Sequence, residues 1–286
     1  MAEHLLEMAK ALVRVKDGKI EVVSDPKILR CPLRRDLYGI EEESRDSVEM
    51  VLREHIAEMG MYSPSRVLEM DDKTVSFGAS EILADAMANG IVDCAAVACE
   101  GAGTVIIVRP EVLLAVGAHM TGLLKTEPIS EIQKGLDERG CLLLDALGSI
   151  DQAAGFQRAA AAGFRRIAVT VAGTSALEAA RLREMGRQLG IRPFILAVHT
   201  TGISAEEARI LGESCDLIWS CASKAVREVA GRQAKLQMGI SIPVFAMTDQ
   251  GKRLLLNRAT HFQGTLVLHR AGLPVAPADR QPQPQI

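Results

Sequence analysis

The chain has 286 residues, 48% of them hydrophobic and 24% charged, which is enough for one large or two small domains with a sizeable core. Its net charge of −3 and its aromatic content of 3% argue against a nucleic-acid-binding surface. It has no apolar run long enough to span a bilayer and no signal-peptide pattern. We therefore expect a cytoplasmic protein that binds neither nucleic acid nor membrane.

The first 75 residues are predicted to form a region of their own. Residues 1–10 are predicted to be helical, and two alternating apolar runs on either side of Asp17 and Gly18 predict a β-hairpin. Residues 44–60 repeat apolar side chains with a helical period, beginning at a Ser and ending at a Gly. We predict that residues 1–75 form a hairpin-and-helix extension that packs on the main domain.

Residues 76–271 alternate between helical segments and short apolar runs, which is the pattern of an α/β domain. The predicted strands cover residues 92–99, 105–108, 141–145, 166–172, 193–199, 217–221 and 243–247. Because these runs are continuously apolar, both faces of the sheet should be buried, as in an open, doubly wound, mostly parallel sheet. A (β/α) barrel is the alternative, although fewer than eight strand–helix units are evident. Residues 272–286, rich in Pro and Gln, are predicted to be a disordered tail.

Small and polar residues collect at the carboxyl ends of the predicted strands, where ligands bind in parallel sheets. Several of these residues precede helices, whose N-termini favour anions. We interpret them as a site for an anionic small molecule, such as a phosphate or a carboxylate. The ligand-binding candidates are Gly101, Gly103, Thr104, Thr174, Ser175, Thr200, Thr201, Ser223 and Lys224, with Arg34 as a further cation. The alternative is that the hydroxyl residues among them are only helix N-caps.

Glu100 and His199 are the candidates for proton transfer. Each directly follows an apolar strand, so each is placed near the core at the edge where a ligand would bind. For Glu100 this position predicts a raised pKa or a metal partner, and an exposed turn residue is the alternative. For His199 the alternative is a hydrogen-bonded structural histidine.

The six cysteines are scattered without a CxxC pair, which argues against a disulfide framework. Cys31, Cys99 and Cys221 each border a polar segment. Three thiolates would suit zinc with an open position, or an iron–sulfur cluster with one iron left for a substrate. A single nucleophilic thiol at Cys221, ahead of a helix, is the rival interpretation.

The combination of several motifs resembles the family called methanogenesis marker protein 8, from about residue 26 to 260. The stretches that carry the resemblance are Cys31-Pro-Leu-Arg34, Arg66–Met70, Phe77–Leu83, Cys99–Val105, Ala168–Gly173, Ala197–Gly202 and Cys221–Glu228. The family takes its name from its occurrence in methane-forming archaea. The resemblance therefore implies a setting, anaerobic C1 metabolism or the maturation of its cofactors, and implies no particular reaction.

Two functions follow as hypotheses. The first is an enzyme that binds an anionic small molecule at the carboxyl edge of its sheet, with an iron–sulfur or zinc centre on the three cysteines. The second is a non-catalytic accessory protein that helps to assemble a methanogenesis enzyme or carries its cofactor. The apolar composition makes a homodimer plausible in either case.

Overall fold

Two β-sheets organise the protein in the computed structural model, which describes residues 2–117 and 122–286. The strands are β1 (Glu3–Met8), β2 (Ala11–Lys16), β3 (Lys19–Val22), β4 (Cys94–Cys99), β5 (Gly103–Ile107), β6 (Gly122–Thr126), β7 (Leu142–Leu143), β8 (Ile167–Ala172), β9 (Phe194–Val198), β10 (Leu217–Trp219), β11 (Leu236–Met238) and β12 (Val244–Ala246). The helices are α1 (Pro32–Tyr38), α2 (Arg45–Met59), α3 (Ala79–Ala88), α4 (Pro110–Gly117), α5 (Ser130–Glu138), α6 (Gln152–Ala161), α7 (Ala176–Leu189), α8 (Ala205–Ser214) and α9 (Asp249–His261). No helix in the described ranges is long and apolar enough to cross a membrane.

The smaller sheet is antiparallel, with the order β3-β2-β1-β6. The predicted hairpin is confirmed, since Asp17 and Gly18 connect β2 to β3 with φ values of 53° and 72°. The predicted helix over residues 1–10 is wrong in its described part. Its side chains are buried at every second position (His4, Leu6 and Met8), which is the period of a strand, and pairing with β2 and β6 outweighs the helix propensity of the segment.

The larger sheet has eight strands in the order β11-β12-β10-β9-β8-β4-β5-β7. The four central strands, β10, β9, β8 and β4, are parallel to one another, and the outer strands pair antiparallel on both sides. The strand order has two ends, so this sheet is open and the barrel alternative is not formed. The α/β class is confirmed.

Helices cover both faces of the larger sheet because alternate residues of each strand point to opposite sides. Ala95, Val97 and Leu196 pack with α3, α4, α5 and α9, whereas Cys94, Ala96 and Ile195 pack with α6, α7 and α8. Continuous apolar runs in the sequence are the consequence of this two-sided burial.

The last residues differ from the disordered tail that we predict for 272–286. Gln283 exchanges two backbone hydrogen bonds with Arg30, at 2.9 and 2.8 Å, and the Ile286 amide donates to the Ala222 carbonyl at 3.0 Å. A segment poor in apolar residues is held here by its backbone groups. The division at residue 75 stays a prediction, although β6, which lies beyond it in sequence, belongs to the smaller sheet.

Candidate functional site

The structure divides the predicted site residues into two groups. The first group is the turn between β4 and β5. Cys99 pairs with Gly103 in an antiparallel ladder, so this turn closes a β-hairpin and does not lead from a strand into a helix. Gly101 and Gly103 have φ values of 75° and 74°, and a Cβ atom on Gly103 would lie 2.4 Å from the Gly148 carbonyl carbon. The structure therefore uses these two glycines for packing.

Thr104 is fully buried and serves the same hairpin. Its hydroxyl donates to the Gln152 side chain at 2.8 Å and accepts from the Asp151 amide at 2.9 Å. These bonds tie β5 to the start of α6. The Thr104 hydroxyl is thus already engaged both as a donor and as an acceptor within the protein, so it does not face a ligand in this arrangement.

Glu100 has a partner that we did not predict. Its side chain is fully buried and forms an ion pair with the equally buried Arg66 guanidinium, which also donates to the carbonyls of Val67 at 2.7 Å and Ala115 at 2.8 Å. Burial opposes the charge on Arg66, but the Glu100 carboxylate, together with weaker effects of Cys99 and Tyr62, holds the pKa of Arg66 above its ordinary value. The pair neutralises a carboxylate that we expected to meet a metal or to exchange protons.

The three cysteines predicted as metal ligands do not all meet. Cys31 and Cys221 are neighbours, since burial and, to a smaller extent, the charge of Cys221 raise the pKa of the Cys31 thiol, but Cys99 lies apart from both. Cys99 ends β4 and Cys221 follows β10, three strands away, which at roughly 4.8 Å per strand is on the order of 14 Å. Cys99 is fully buried, and burial together with Glu100 raises the pKa of its thiol well above the usual range. The described residues contain no group of three or more His, Cys, Asp or Glu side chains that could hold a metal ion. The residues present therefore do not fit the three-cysteine centre.

The second group lies at the carboxyl ends of the adjacent parallel strands β9 and β10. His199 and Cys221, which follow these strands, both have left-handed backbones, with φ values of 52° and 42°. Such a backbone is uncommon outside glycine and costs free energy that the surrounding fold has to supply. Gly173, after β8, brings a third strand end close, since a Cβ atom there would lie 2.7 Å from Thr200 Cα.

His199 lies where the two sheets meet. A Cβ atom on Gly122 of β6 would be 3.4 Å from Glu7 Cβ and 3.8 Å from the His199 ring carbon Cγ. Burial lowers the pKa of His199, while Glu7 raises it and Lys10 lowers it further. The neutral imidazole is thus favoured, which is the form that accepts a proton.

Most of the predicted hydroxyl ligands hold the loops of this edge instead. Thr200 donates to the Trp219 carbonyl at 2.6 Å, Thr201 accepts from the Ala222 amide at 3.1 Å, and Ser223 accepts from the Val226 amide at 3.1 Å. Ser223 is therefore an N-cap, as the simpler interpretation expects. Thr174 is exposed and Ser175 is half-buried, both in a 3-10 turn after β8.

Arg34, the predicted cation on α1, has its own counter-ion. It forms an ion pair with the buried Glu43 carboxylate, and its Nη2 is 3.0 Å from Glu43 Oε2. Lys224 is exposed, and its ammonium is 3.9 Å from Glu228. Lys10, which was not predicted, lies at the same edge. A Cβ atom on Gly202 would be 3.5 Å from the Lys10 Cε atom.

Two backbone amides from the ends of β9 and β10 converge on one oxygen. The Gly202 amide donates to the main-chain oxygen of Ile286 at 3.2 Å, and the Lys224 amide donates to the same oxygen at 3.3 Å. Two amides directed at one point present a positive potential that suits an oxygen carrying negative charge. We call this arrangement the two-amide site.

Arg227 holds the turn beside the two-amide site and was also missed. It is buried, and its guanidinium donates to the carbonyls of Ser220 at 3.2 Å, Ser223 at 2.8 Å and Cys221 at 2.7 Å. No salt bridge to it is found among the described residues. Arg227 belongs to the stretch Cys221–Glu228, which the sequence analysis singled out. An arginine in a helical segment is normally exposed, however, so the sequence pattern gave no sign that Arg227 is buried.

We expect the native protein to react with a small alkylating agent at Cys31 and Cys221 before its other thiols. These two are half-buried, whereas Cys94, Cys99, Cys141 and Cys215 are buried in the core. Peptide mapping by mass spectrometry after a short treatment with iodoacetamide measures this order, and full labelling in denaturant is the control. Early modification of Cys99 would contradict the buried position of the hairpin.

These observations define an α/β protein with a polar edge at the ends of its parallel strands, of which the part around Gly202 and Lys224 is built to hold an oxygen. Residues 4–260 match the family DUF2099, described as uncharacterized proteins conserved in archaea, and the chain belongs to this family. It is also 34% identical over 288 residues to an uncharacterized protein of Methanocaldococcus jannaschii, and the match covers 100% of both chains.

Proposed function

We propose that the protein binds an anionic small molecule at the two-amide site. The observation that carries this proposal is the convergence of the Gly202 and Lys224 amides on one oxygen. Two amide donors directed at one point favour an oxygen that carries negative charge. The ammonium groups of Lys10 and Lys224 add positive charge to the same edge.

The same edge supports an enzyme rather than a simple carrier. His199 offers an imidazole whose pKa is lowered by burial, and Cys221 offers a half-buried thiol. Burial raises the pKa of the Cys221 thiol, whereas the Thr200 amide and hydroxyl act in the opposite direction. His199 is suited to accept a proton from a ligand bound at this edge. Glu100 has no part in this proposal, because Arg66 already neutralises it.

The proposal also includes the metabolic context of the protein. We infer that the archaeal family is the one named methanogenesis marker protein 8, which would place the activity in anaerobic C1 metabolism in the cytoplasm. Membership of an archaeal family supports this inference. The motifs quoted for the resemblance include both strand ends of the two-amide site, at Ala197–Gly202 and Cys221–Glu228.

Lys224→Pro is expected to weaken the binding of inorganic phosphate by about ten- to a hundredfold, because it removes one N–H donor to a charged ligand. Lys224 is the first helical residue after the Ser223 cap, where proline is compatible with the backbone. Lys224→Ala is the matched control, since it keeps the amide and removes only an exposed ammonium. Titration calorimetry measures both, and equal affinities for the two variants would rule out the two-amide site.

A second function is favoured by one observation, the exposed apolar stretch Leu266-Val267-Leu268, whose residues are 37%, 82% and 68% exposed. An accessory protein would use such a surface to contact another protein, or a second copy of itself in the predicted homodimer. Val267→Lys separates the two functions, because it should weaken such an association, seen by analytical ultracentrifugation, and leave phosphate binding unchanged.

A further inference from the structure

Residues 281–286, which we call the strap, cross the candidate site and connect it to the segment before α1. At one end Gln283 pairs with Arg30 through both of its backbone groups. At the other end the Ile286 amide donates to the Ala222 carbonyl, and the main-chain oxygen of Ile286 accepts from the Gly202 and Lys224 amides. The strap therefore uses the donors that the proposed function assigns to an anion.

The strap is also anchored by a side chain. Gln281 is 4% exposed, and its carbonyl oxygen accepts a hydrogen bond of 2.9 Å from Arg227 Nε. Its amide nitrogen donates to the carbonyls of Ile240 and Pro277. Arg227 is the residue that holds the turn of Cys221, so one buried guanidinium joins the strap to the wall of the site.

We propose that the strap is an intramolecular occupant of the two-amide site, which an anionic ligand has to displace in order to bind. This inference rests on the proposed function and adds the regulation of the same site. An amide N–H that donates to the Ile286 oxygen at 3.2 or 3.3 Å cannot also be fully directed at a ligand oxygen. The apparent affinity for the ligand is then the intrinsic affinity reduced by the fraction of molecules whose strap is open.

The contacts of the strap are of a kind that can open. Beyond the buried bond between Gln281 and Arg227 they are hydrogen bonds to backbone groups, and the Ile286 side chain is 37% exposed. Among the strap residues, Gln281 and Pro282 are buried, which leaves little apolar surface to keep the strap closed. Opening would also uncover the half-buried Cys221, whose neighbour Ala222 accepts the Ile286 amide.

The test is hydrogen exchange, read by mass spectrometry, of the full-length protein with and without saturating inorganic phosphate. If the ligand displaces the strap, phosphate binds and the amides of Gln281, Gln283, Gln285 and Ile286 exchange faster in its presence. If phosphate binds and these amides exchange at the same rate or more slowly, the strap inference is overturned while the proposed function stands.

Gln281→Ala provides a second measurement in the full-length chain. Loss of its bonds to Arg227 and Ile240 should favour the open strap and lower the Kd for phosphate about tenfold. Gln283→Ala is the matched control, because Gln283 contacts Arg30 through its backbone and should leave the Kd unchanged. An unchanged Kd in Gln281→Ala would count against the strap as an occupant. If phosphate binds neither the wild type nor Gln281→Ala, the proposed function fails and the strap inference falls with it.

Discussion

Substitution of Arg66 by Met is expected to lower the free energy of unfolding by about 3–5 kcal/mol, because it leaves the Glu100 carboxylate buried without a counter-ion. Methionine has a similar length and keeps the apolar contacts of the arginine stem. The substitution also removes the hydrogen bonds to the carbonyls of Val67 and Ala115, which adds to the loss. Urea unfolding, followed by circular dichroism, measures the change.

The double variant Arg66→Met, Glu100→Leu should recover much of this stability. Removing both charges removes the desolvation penalty, and apolar replacements of buried ion pairs are often neutral. Arg14→Met is the surface control, since Arg14 and its partner Glu21 are both exposed and the change should affect stability little. If Arg66→Met were as stable as the wild type, the buried pair would not form in solution.

A further variant, Glu100→Gln, distinguishes a structural role of Glu100 from a catalytic or ligand-binding role. In the structure Glu100 fixes the hairpin between β4 and β5, so Glu100→Gln should lower stability and leave phosphate affinity unchanged. A catalytic or ligand-binding carboxylate would show the opposite result, with stability retained and binding or activity lost. Sequence reasoning placed Glu100 near the core correctly, but the charge of Arg66 lies 34 residues away in sequence and no local pattern joins the two.

The fold was predictable where one signal is local and strong. Continuous apolar runs predicted the parallel core strands β4, β8, β9 and β10, because burial on both faces removes polar residues from a strand. The direction of β5 was not predictable from its own residues, since it depends on the turn at Glu100 and Gly101 closing into a hairpin. β1 was predicted as a helix because its pairing with β2 and β6 is a tertiary effect.

The part of the candidate site that directly follows the core strands was predictable, because its position depends on local sequence. Residues that follow strands were found from sequence, and among them His199, Thr200 and Cys221 do lie at one edge. The side chains that complete this edge come from distant segments: Lys10 from the smaller sheet, Arg227 from a buried helical turn and Gln281 from the strap. A composition rich in Pro and Gln predicts disorder, and only the backbone hydrogen bonds of the folded chain show otherwise.

Acid should destabilise the protein through His4, by about 3 kcal/mol once the pH has fallen to about 4. His4 is 1% exposed and belongs to β1, where it pairs with Thr126 of β6, and burial lowers its pKa to about 4 against the weaker opposing effects of Glu127 and Glu3. Its Nδ1 is hydrogen-bonded to the Thr126 hydroxyl at 2.7 Å, and its Nε2 is buried without a hydrogen-bond partner among the described residues. Protonation would therefore place a cation in a site that cannot solvate it.

The direction of the pH dependence follows from the two protonation states. The histidine of the unfolded chain takes up a proton as the pH falls below about 6.5, whereas the folded chain stays neutral until about 4. The contribution of neutral His4 to stability is thus fully present above about pH 6.5 and decreases as the pH falls from about 6.5 to about 4. Below about pH 4, His4 causes no further loss of stability. His4→Asn should abolish this part of the pH dependence, while His269→Asn should not, because His269 is exposed in the folded protein. Urea unfolding of the three proteins at pH 7.5, 6, 5 and 4 measures the difference. An equal dependence of the unfolding free energy on pH in wild type and His4→Asn would show that His4 is not buried in its neutral form.

The protonation of His4 would also affect the Glu100 hairpin, because Thr126, the partner of His4, accepts a hydrogen bond from the Gly101 amide at 2.7 Å. Protonation would therefore loosen the contact between the smaller sheet and this hairpin.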